Sequence, residues 1–524
     1  MRGISRRDFL SAVGVAGGAG AMFATMGALG LAPTAMGAPA YVPPRPSDFR
    51  LTGRAAAKVV VLGGGIAGLA SAYELGKAGY DCTVLEARDI AGGRNFTVRG
   101  GTRQTDLDGN TQVARFADGE YMNAGPARIA QWMVTLDYCR ELGIPIEVFT
   151  NENASALIYN EQAGMTAPVR YRTAKADMYG YVGELLAKAT NQGALDGDLT
   201  AVDKERLLTF LQDWGSLGKT DYRYTGSFRR GFSPDPGAAD QTGTALGPPP
   251  SLSDVFASNV GRTFSFEFEY QYAMLMFQPV GGMDRIPAAL VREIGPGRVR
   301  TGCVVTGITN RDDGVSVTYI CEGVQRRIDA DYCISAMPPN ITARIPHNLG
   351  ADVQAALAAF PVEKVGKIGL EYRSRWWETD YRIYGGITET DMDVEHIWYP
   401  SHGYHGPRGV LIGYYNTKED AVAYGQLTPP QREARAVAQG VKIHGSKYRT
   451  ELASSFSVAW HRTPHIESGW SILFGTQPYE LLNRPQGRVY FAGDWLTWLV
   501  TWQAGAFDSA RRVVTELHQR VLKT

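Results

Sequence analysis

One stretch limits the fold more than any other: "KVVVLGGGIAGLASAYELGKAGYDCTVLEA", residues 58–87. Val59 to Leu62 form a short, continuous apolar run, the signature of a parallel strand covered on both faces. Gly63, Gly65 and Gly68 then set the spacing G-x-G-x-x-G, and Ile66, Leu69, Ala70 and Tyr73 recur at helical intervals. A second strand, "CTVLE", ends in Glu86, at the distance of about 20 residues that such a unit requires. Strand, glycine turn, helix and strand with a terminal acid make up a dinucleotide-binding unit. Gly63 makes the turn, Gly65 lets backbone approach a pyrophosphate, and Gly68 lets helix and strand pack closely. The helix N-terminus, with Ile66 and Ala67, favours phosphate, and Glu86, followed by Ala87, accepts from a ribose.

The bulk numbers agree with a large folded chain. Its 524 residues exceed one ordinary core and imply two or three structural units. Lys plus Arg (53) equals Asp plus Glu (53), so no global field recruits nucleic acid or an acidic membrane. Five cysteines stand singly without C-x-x-C spacing, mostly in apolar runs, and read as buried free thiols rather than a disulfide framework. Eight histidines show no metal-ligand spacing, so no metal is expected. At the N-terminus, "SRRDFL" puts paired arginines before a mild Gly/Ala-rich apolar run, followed by small residues with cleavage expected around Gly37 to Ala40. This reads as a twin-arginine export signal, implying the translocase of that route and a periplasmic or extracellular destination. The run is too poor in Leu and Ile for a stable membrane anchor.

Further motifs appear in a fixed order. "ARDIAGGRNFT" carries Gly93 and Arg94; "GRVRTGCVVTGITNRDDGVSVTY" reads as strands and contains Val304; "GRVYFAGDWLTWLVTWQAGAFDSARR" gives a strand, Gly493-Asp494 and a last helix near Gly505. With the glycine fingerprint, this order resembles the flavin-dependent amine oxidase family, from about Lys58 to about Leu517. The resemblance implies FAD, with Arg94 near the phosphates, Val304 near the adenine and Asp494 near the ribityl or pyrophosphate. Many family members have glutamate where this chain has Asp494. It also implies an α/β fold: a Rossmann-like FAD-binding domain, a mixed-sheet α+β substrate domain and a helical insertion. The expected division is 1–38 signal; 45–110, 272–360 and 485–524 for the FAD domain; 111–167 and 361–484 for the substrate domain; and 168–271 for the helical domain. In the last of these, "DPGAADQTGTALGPPPSLSD" reads as loop, either a gate over the pocket or a surface excursion.

"GPARI" carries the substrate reading. By itself, Arg128 after a Gly-Pro turn is a surface charge leading into a helix over "AQWMVTLDYCRELGI". In L-amino acid oxidases of the family, a G-P-x-R segment lays backbone beside the flavin and aims the arginine at the substrate carboxylate. The matching residues are Gly125, Pro126, Ala127 and Arg128. A guanidinium fork fits a carboxylate bidentately, whereas it repels a plain ammonium. The resemblance also implies a lysine that holds a water beside the flavin, at Lys367 with Lys364 as competitor. It implies a tyrosine on the carboxylate at Tyr399, and a glycine carbonyl on the substrate amine at Gly505, with Ala506 beside the flavin. The position of Ala506 is often tryptophan in the venom enzymes, and Trp470 or Trp502 replaces that wall here. Glu467 is a further candidate at the side-chain end.

The activity so implied is oxidative deamination of L-α-amino acids. Hydride passes from Cα to flavin N5, and O2 is the acceptor. The products are 2-oxo acid, ammonia and H2O2. The alternatives are an amine or polyamine oxidase and a flavin monooxygenase that gives an amide. No Ser-His-Asp set is evident. Side-chain preference stays open, as does oligomeric state, a homodimer being one assembly compatible with the sequence.

Overall fold

A computed structural model describes residues 49–523 except 266, 268, 273 and 274. The export signal read in residues 1–38 lies outside the described residues. Among the described residues, no helix is long and apolar enough to cross a membrane. The described residues divide into two compact units, 163–266 and, as the larger, 49–162 with 267–523. The helical segment expected at 168–271 thus begins and ends about five residues earlier in the structure.

The larger unit contains a five-stranded parallel sheet in the order Val299–Arg300, Asp81–Leu85, Lys58–Leu62, Tyr332–Ser335, Val489–Phe491. Its central strand explains the unbroken apolar run seen in the sequence. Val59 and Val61 enter one core with Leu69 and Ala70 of the helix Ile66–Lys77 and with Val513, Val514 and Leu517 of the last helix, Gln503–Val521. Val60 and Leu62 enter another, with Cys303, Leu357, Val489 and Phe491. Alternate side chains of one strand therefore serve two cores, and neither face tolerates a polar residue.

Beyond this sheet, Cys303–Asn310, Val315–Cys321 and Val324–Ala330 form an antiparallel meander. Cys303 and Cys321 face one another in its register, with Cα atoms 4.2 Å apart, and are joined as a disulfide. This corrects the expectation of free thiols throughout. Cys82, Cys139 and Cys333 are free and buried, but the other two meet because a hairpin aligns them, which linear spacing does not reveal.

A second sheet runs, within the same unit, in the order Leu452–Ala459, Val365–Tyr372, Gly409–Thr417, His396–Trp398, Ile387–Thr390, Leu157–Tyr159. Its pairings are antiparallel except the last, so it is mixed. Every residue of Val365–Tyr372 is buried, including Lys367. The helix expected after "GPARI" is shorter than read: it spans Val134–Glu141, and Trp132 precedes it.

The unit of residues 163–266 is helical, with Tyr171–Asn191 and Ala201–Gly215 as its long helices. Thr200 caps the second by accepting from the Asp203 amide. Ala187, Leu211, Leu217 and Tyr224 form its small core, and a buried Arg230–Asp177 pair at 2.7 Å fixes the segment that follows. Residues 231–250 contain no helix, as the Pro/Gly-rich composition implies.

Candidate active site

One cavity of the larger unit collects the motifs. Its walls include Gly63, Gly65, Ile66, Ala67, Glu86, Ala87 and Val304, continue past Gly93, Arg94, Gly493 and Asp494, and reach Gly125 to Arg128, Lys367 and Trp398.

Its first end is made by backbone. Gly63 adopts φ +97°, open to glycine but strained for other residues, and its amide donates to Leu85 O at 2.8 Å. A Cβ on Gly68 would sit 2.0 Å from Gly63 O, so turn and helix touch there with no room for a side chain. Gly68 supports the cavity rather than lining it. At Gly65, by contrast, a Cβ would meet nothing within 4 Å. It would project into open space at the mouth of a helix N-terminus, where a phosphate group is favoured. Glu86 is buried on the adjoining strand. Its carboxylate accepts from Gly64 N at 2.7 Å and Arg88 N at 2.9 Å, and burial pushes its pKa up against those two bonds. Arg94 is ion-paired with Asp494 and donates to Gly469 O at 2.5 Å.

The second end is made by side chains from distant segments. A Cβ on Gly125 would lie 1.9 Å from Arg94 O, so the "GPAR" segment passes Arg94 as closely as backbone permits. Gly125 O then accepts from Lys367 Nζ at 2.5 Å. Arg128, 8 % exposed, donates to the Asn151 side-chain oxygen. Its guanidinium lies 4.6 Å from the Tyr272 ring centre and 4.8 Å from that of Trp398. Lys367 Nζ lies 4.8 Å from the same Trp398 ring and 4.6 Å from Tyr415, its register partner on the next strand. Two cations thus share one indole. Burial, and secondarily the charge of Arg128, lower the Lys367 pKa to about 7. Lys364 donates to Val362 O at 2.6 Å and does not line the cavity, which separates the two lysine candidates.

Three expectations need correction. Tyr399 does not reach the cavity. Its hydroxyl meets Thr388 Oγ1 at 2.8 Å and His444 Nε2 at 2.9 Å. Strand alternation turns Tyr399 away and its neighbour Trp398 inward. Gly505 does not line the cavity either. It packs where a Cβ would be 2.3 Å from Leu499 O, while Gln503 and Ala506 of the same helix face the cavity. Glu467 pairs with Arg344 at 2.7 Å rather than entering the site. Trp470 and Trp502 do line it. Tyr272, Trp398, Tyr415 and Trp460 line it without having been singled out as site residues. Alternation from Lys367 across to its facing strand is the signal that would have found Tyr415. No group of three or more His, Cys, Asp or Glu arranged to hold a metal occurs among the described residues.

The residues fit an extended dinucleotide. A close-packed glycine turn, an acid on the next strand and open space beyond Gly65 lead without interruption to a buried lysine and arginine. A cavity with these two ends defines a flavin-dependent oxidoreductase. The sequence profile of the flavin containing amine oxidoreductases matches residues 66–518, and the chain belongs to that family, whose cofactor is FAD.

Among its relatives, the L-amino-acid oxidase of Vipera ammodytes ammodytes is 28% identical over 464 residues, 83% of this chain and 87% of that one. The L-amino-acid oxidase of Pseudechis australis is 26% identical over 460 residues, 85% of this chain and 83% of that one. Among solved structures, cyclohexylamine oxidase from Brevibacterium oxydans superposes with a TM-score of 0.60 at 18% identity, covering 89% of this chain and all of that one (100%). That likeness bears on the fold alone.

Proposed function

We propose that this flavoenzyme oxidises L-α-amino acids to 2-oxo acids and ammonia, with O2 as electron acceptor and H2O2 as product. The carrying observation is Arg128: a buried guanidinium on the same cavity wall as Lys367, clasped between two aromatic faces. A fixed cation there favours a substrate that brings its own carboxylate, whereas a plain ammonium would be repelled by Arg128 and by Lys367 when protonated. The names of the two venom relatives support the same reading.

FAD, when bound, supplies the two-electron acceptor for the carbon bearing the amine. The chain's part is orientation. Arg128 holds the carboxylate, so Cα is presented in one pose rather than many. Lys367, neutral above about pH 7, can accept a proton at Nζ while Gly125 O fixes its position. The aromatic walls keep bulk water from the Arg128 guanidinium and strengthen the field between it and a bound anion.

The deciding experiment is peroxide formation from a panel of L-amino acids, each set beside its D-enantiomer and its decarboxylated amine. Turnover of the L-acids alone, with oxo acid and ammonia formed, is expected. Turnover of the amines instead would make the enzyme an amine oxidase, and an amide product would make it a monooxygenase.

A further inference from the structure

The Cys303–Cys321 disulfide borders the cofactor end of the cavity. Cys303, Val304 and Val305 all line that cavity, as Glu86 does. Backbone ties the two together: Cys303 N donates to Glu86 O at 2.8 Å, and Gly302 N to Arg88 O at 2.8 Å. Whatever holds Cys303 in place therefore also holds the wall beside the acid.

The hairpin that carries these residues is fastened unevenly. Its turn closes the far end, where Arg311 N donates to Gly314 O at 2.9 Å. At the near end, the pairs Cys303–Cys321, Val304–Ile320 and Val305–Tyr319 are cut off from the rest of the ladder by a register shift between Val305 and Gly307. Such a shift leaves a residue unpaired and disrupts the ladder locally. The cavity-lining residues thus lie on the open side of the irregularity, and the disulfide is the covalent tie across that side.

The remaining cysteines differ from this pair. Cys82, Cys139 and Cys333 are free and no more than 1 % exposed, and burial pushes the first two thiols up to about 12. Thiols so held are inert in exchange. Cys321, in contrast, is partly exposed and follows the exposed Ile320 at the edge of the meander.

We infer that Cys303–Cys321 is a redox-sensitive clasp on the cofactor: closed, it holds the cavity wall ready for FAD; reduced, it lets FAD go more readily. A dithiol supplies the two electrons and two protons. Its thiolate attacks Cys321 Sγ, the cysteine–cysteine bond breaks, and Cys303 leaves as a thiolate that takes up a proton. The reagent's second thiol then displaces Cys321, giving a cyclic reagent disulfide and two cysteine thiols. FAD must afterwards order strand ends that the bond had kept ordered, and its affinity falls by that cost. The inference rests on the family's cofactor and is independent of the substrate.

The test treats the FAD-loaded enzyme with dithiothreitol under native conditions and counts thiols after quenching and denaturation. The count should rise from three to five per chain. FAD affinity, read from flavin passing an ultrafiltration membrane, should weaken about tenfold or more, with the far-ultraviolet circular dichroism unchanged. The double variant Cys303→Ser, Cys321→Ser should hold FAD as weakly without reductant and be indifferent to it. If that variant does not fold, the wild-type titration decides alone.

A count that stays at three overturns the clasp, because the bond is then closed to exchange. So does a count of five with FAD affinity within about threefold of the oxidised enzyme. Loss of secondary structure on reduction also overturns it, since the bond would then hold the fold rather than one wall of the cavity. A folded double variant that still loses FAD on adding dithiothreitol would place the redox effect elsewhere.

Discussion

At one end of the cavity, a single methyl group on Gly68 would collide with Gly63 O at 2.0 Å; at the other, Lys367 reaches Gly125 across 242 residues of chain. The cofactor end is shaped first by the backbone of one short βαβ unit, and closed by Arg94 and Asp494 from outside it. The substrate end is an assembly of side chains from separate segments, with charge as its working property. Bulk should therefore be ruinous where charge is nearly neutral, and charge decisive where ring shape can be exchanged.

Gly125 touches both ends and should give the largest effect. A Cβ there meets Arg94 O at 1.9 Å, and backbone cannot yield as a flexible side chain does. Gly125→Ala should lose about 3 kcal/mol of stability or more and purify largely without flavin, read from the absorbance ratio at visible and ultraviolet wavelengths. A variant with full flavin content and normal turnover would show that the two ends are less tightly joined than the geometry implies.

Arg128→Ala should separate the ends cleanly. Removing the cation is expected to lower kcat/KM for an L-amino acid about 10²-fold, with flavin content unchanged. An effect below about threefold would mean that the guanidinium does not meet the substrate. Loss of flavin as well would mean that the two ends are not independent.

The same contrast explains what could be read from the sequence. The glycine turn and Glu86 were legible because a dinucleotide site depends on residues at fixed offsets from strand ends, whereas Arg94 and Asp494 came only from the family resemblance. The resemblance pointed to Lys367, and the cavity favours it over Lys364. Tyr399 and Gly505 were misplaced because one residue of strand or helix phase decides which side chain faces inward. Tyr415 and Tyr272 carry no motif; only sheet register and tertiary packing bring them to the two cations. The Cys303–Cys321 pair is another product of register.

Lys367 offers a pH test of the substrate end. Its pKa in the folded chain is about 7, against an ordinary value of 10.5. Between these values the unfolded chain binds the extra proton, so this residue makes stability increase with pH through that window. Below about pH 7 both states are protonated, and the native state carries the whole cost of a second buried cation. In Lys367→Met, the thermal midpoint should gain on wild type more at pH 6 than at pH 9. Wild-type kcat/KM should also fall about tenfold per pH unit on the acid side of pH 7, and that limb should vanish in the variant. A limb that persists unchanged would remove Lys367 as the proton acceptor.

The smallest effect is expected at the cofactor end, from a change that would be severe at the other. Glu86→Gln removes a buried charge and keeps one oxygen able to accept from Gly64 N and a ribose hydroxyl, at the loss of the acceptor for Arg88 N. Burial already works against ionisation there, so the charge adds little to what the acceptor geometry provides. The loss should be about 1 kcal/mol, or about fivefold in FAD affinity, measured by titrating FAD into the flavin-free protein. The glycine turn, rather than the acid, would then hold most of the cofactor's binding energy. A loss of about 10³-fold would reverse that view, because the cofactor end would then depend on charge as strictly as the cavity wall around Arg128.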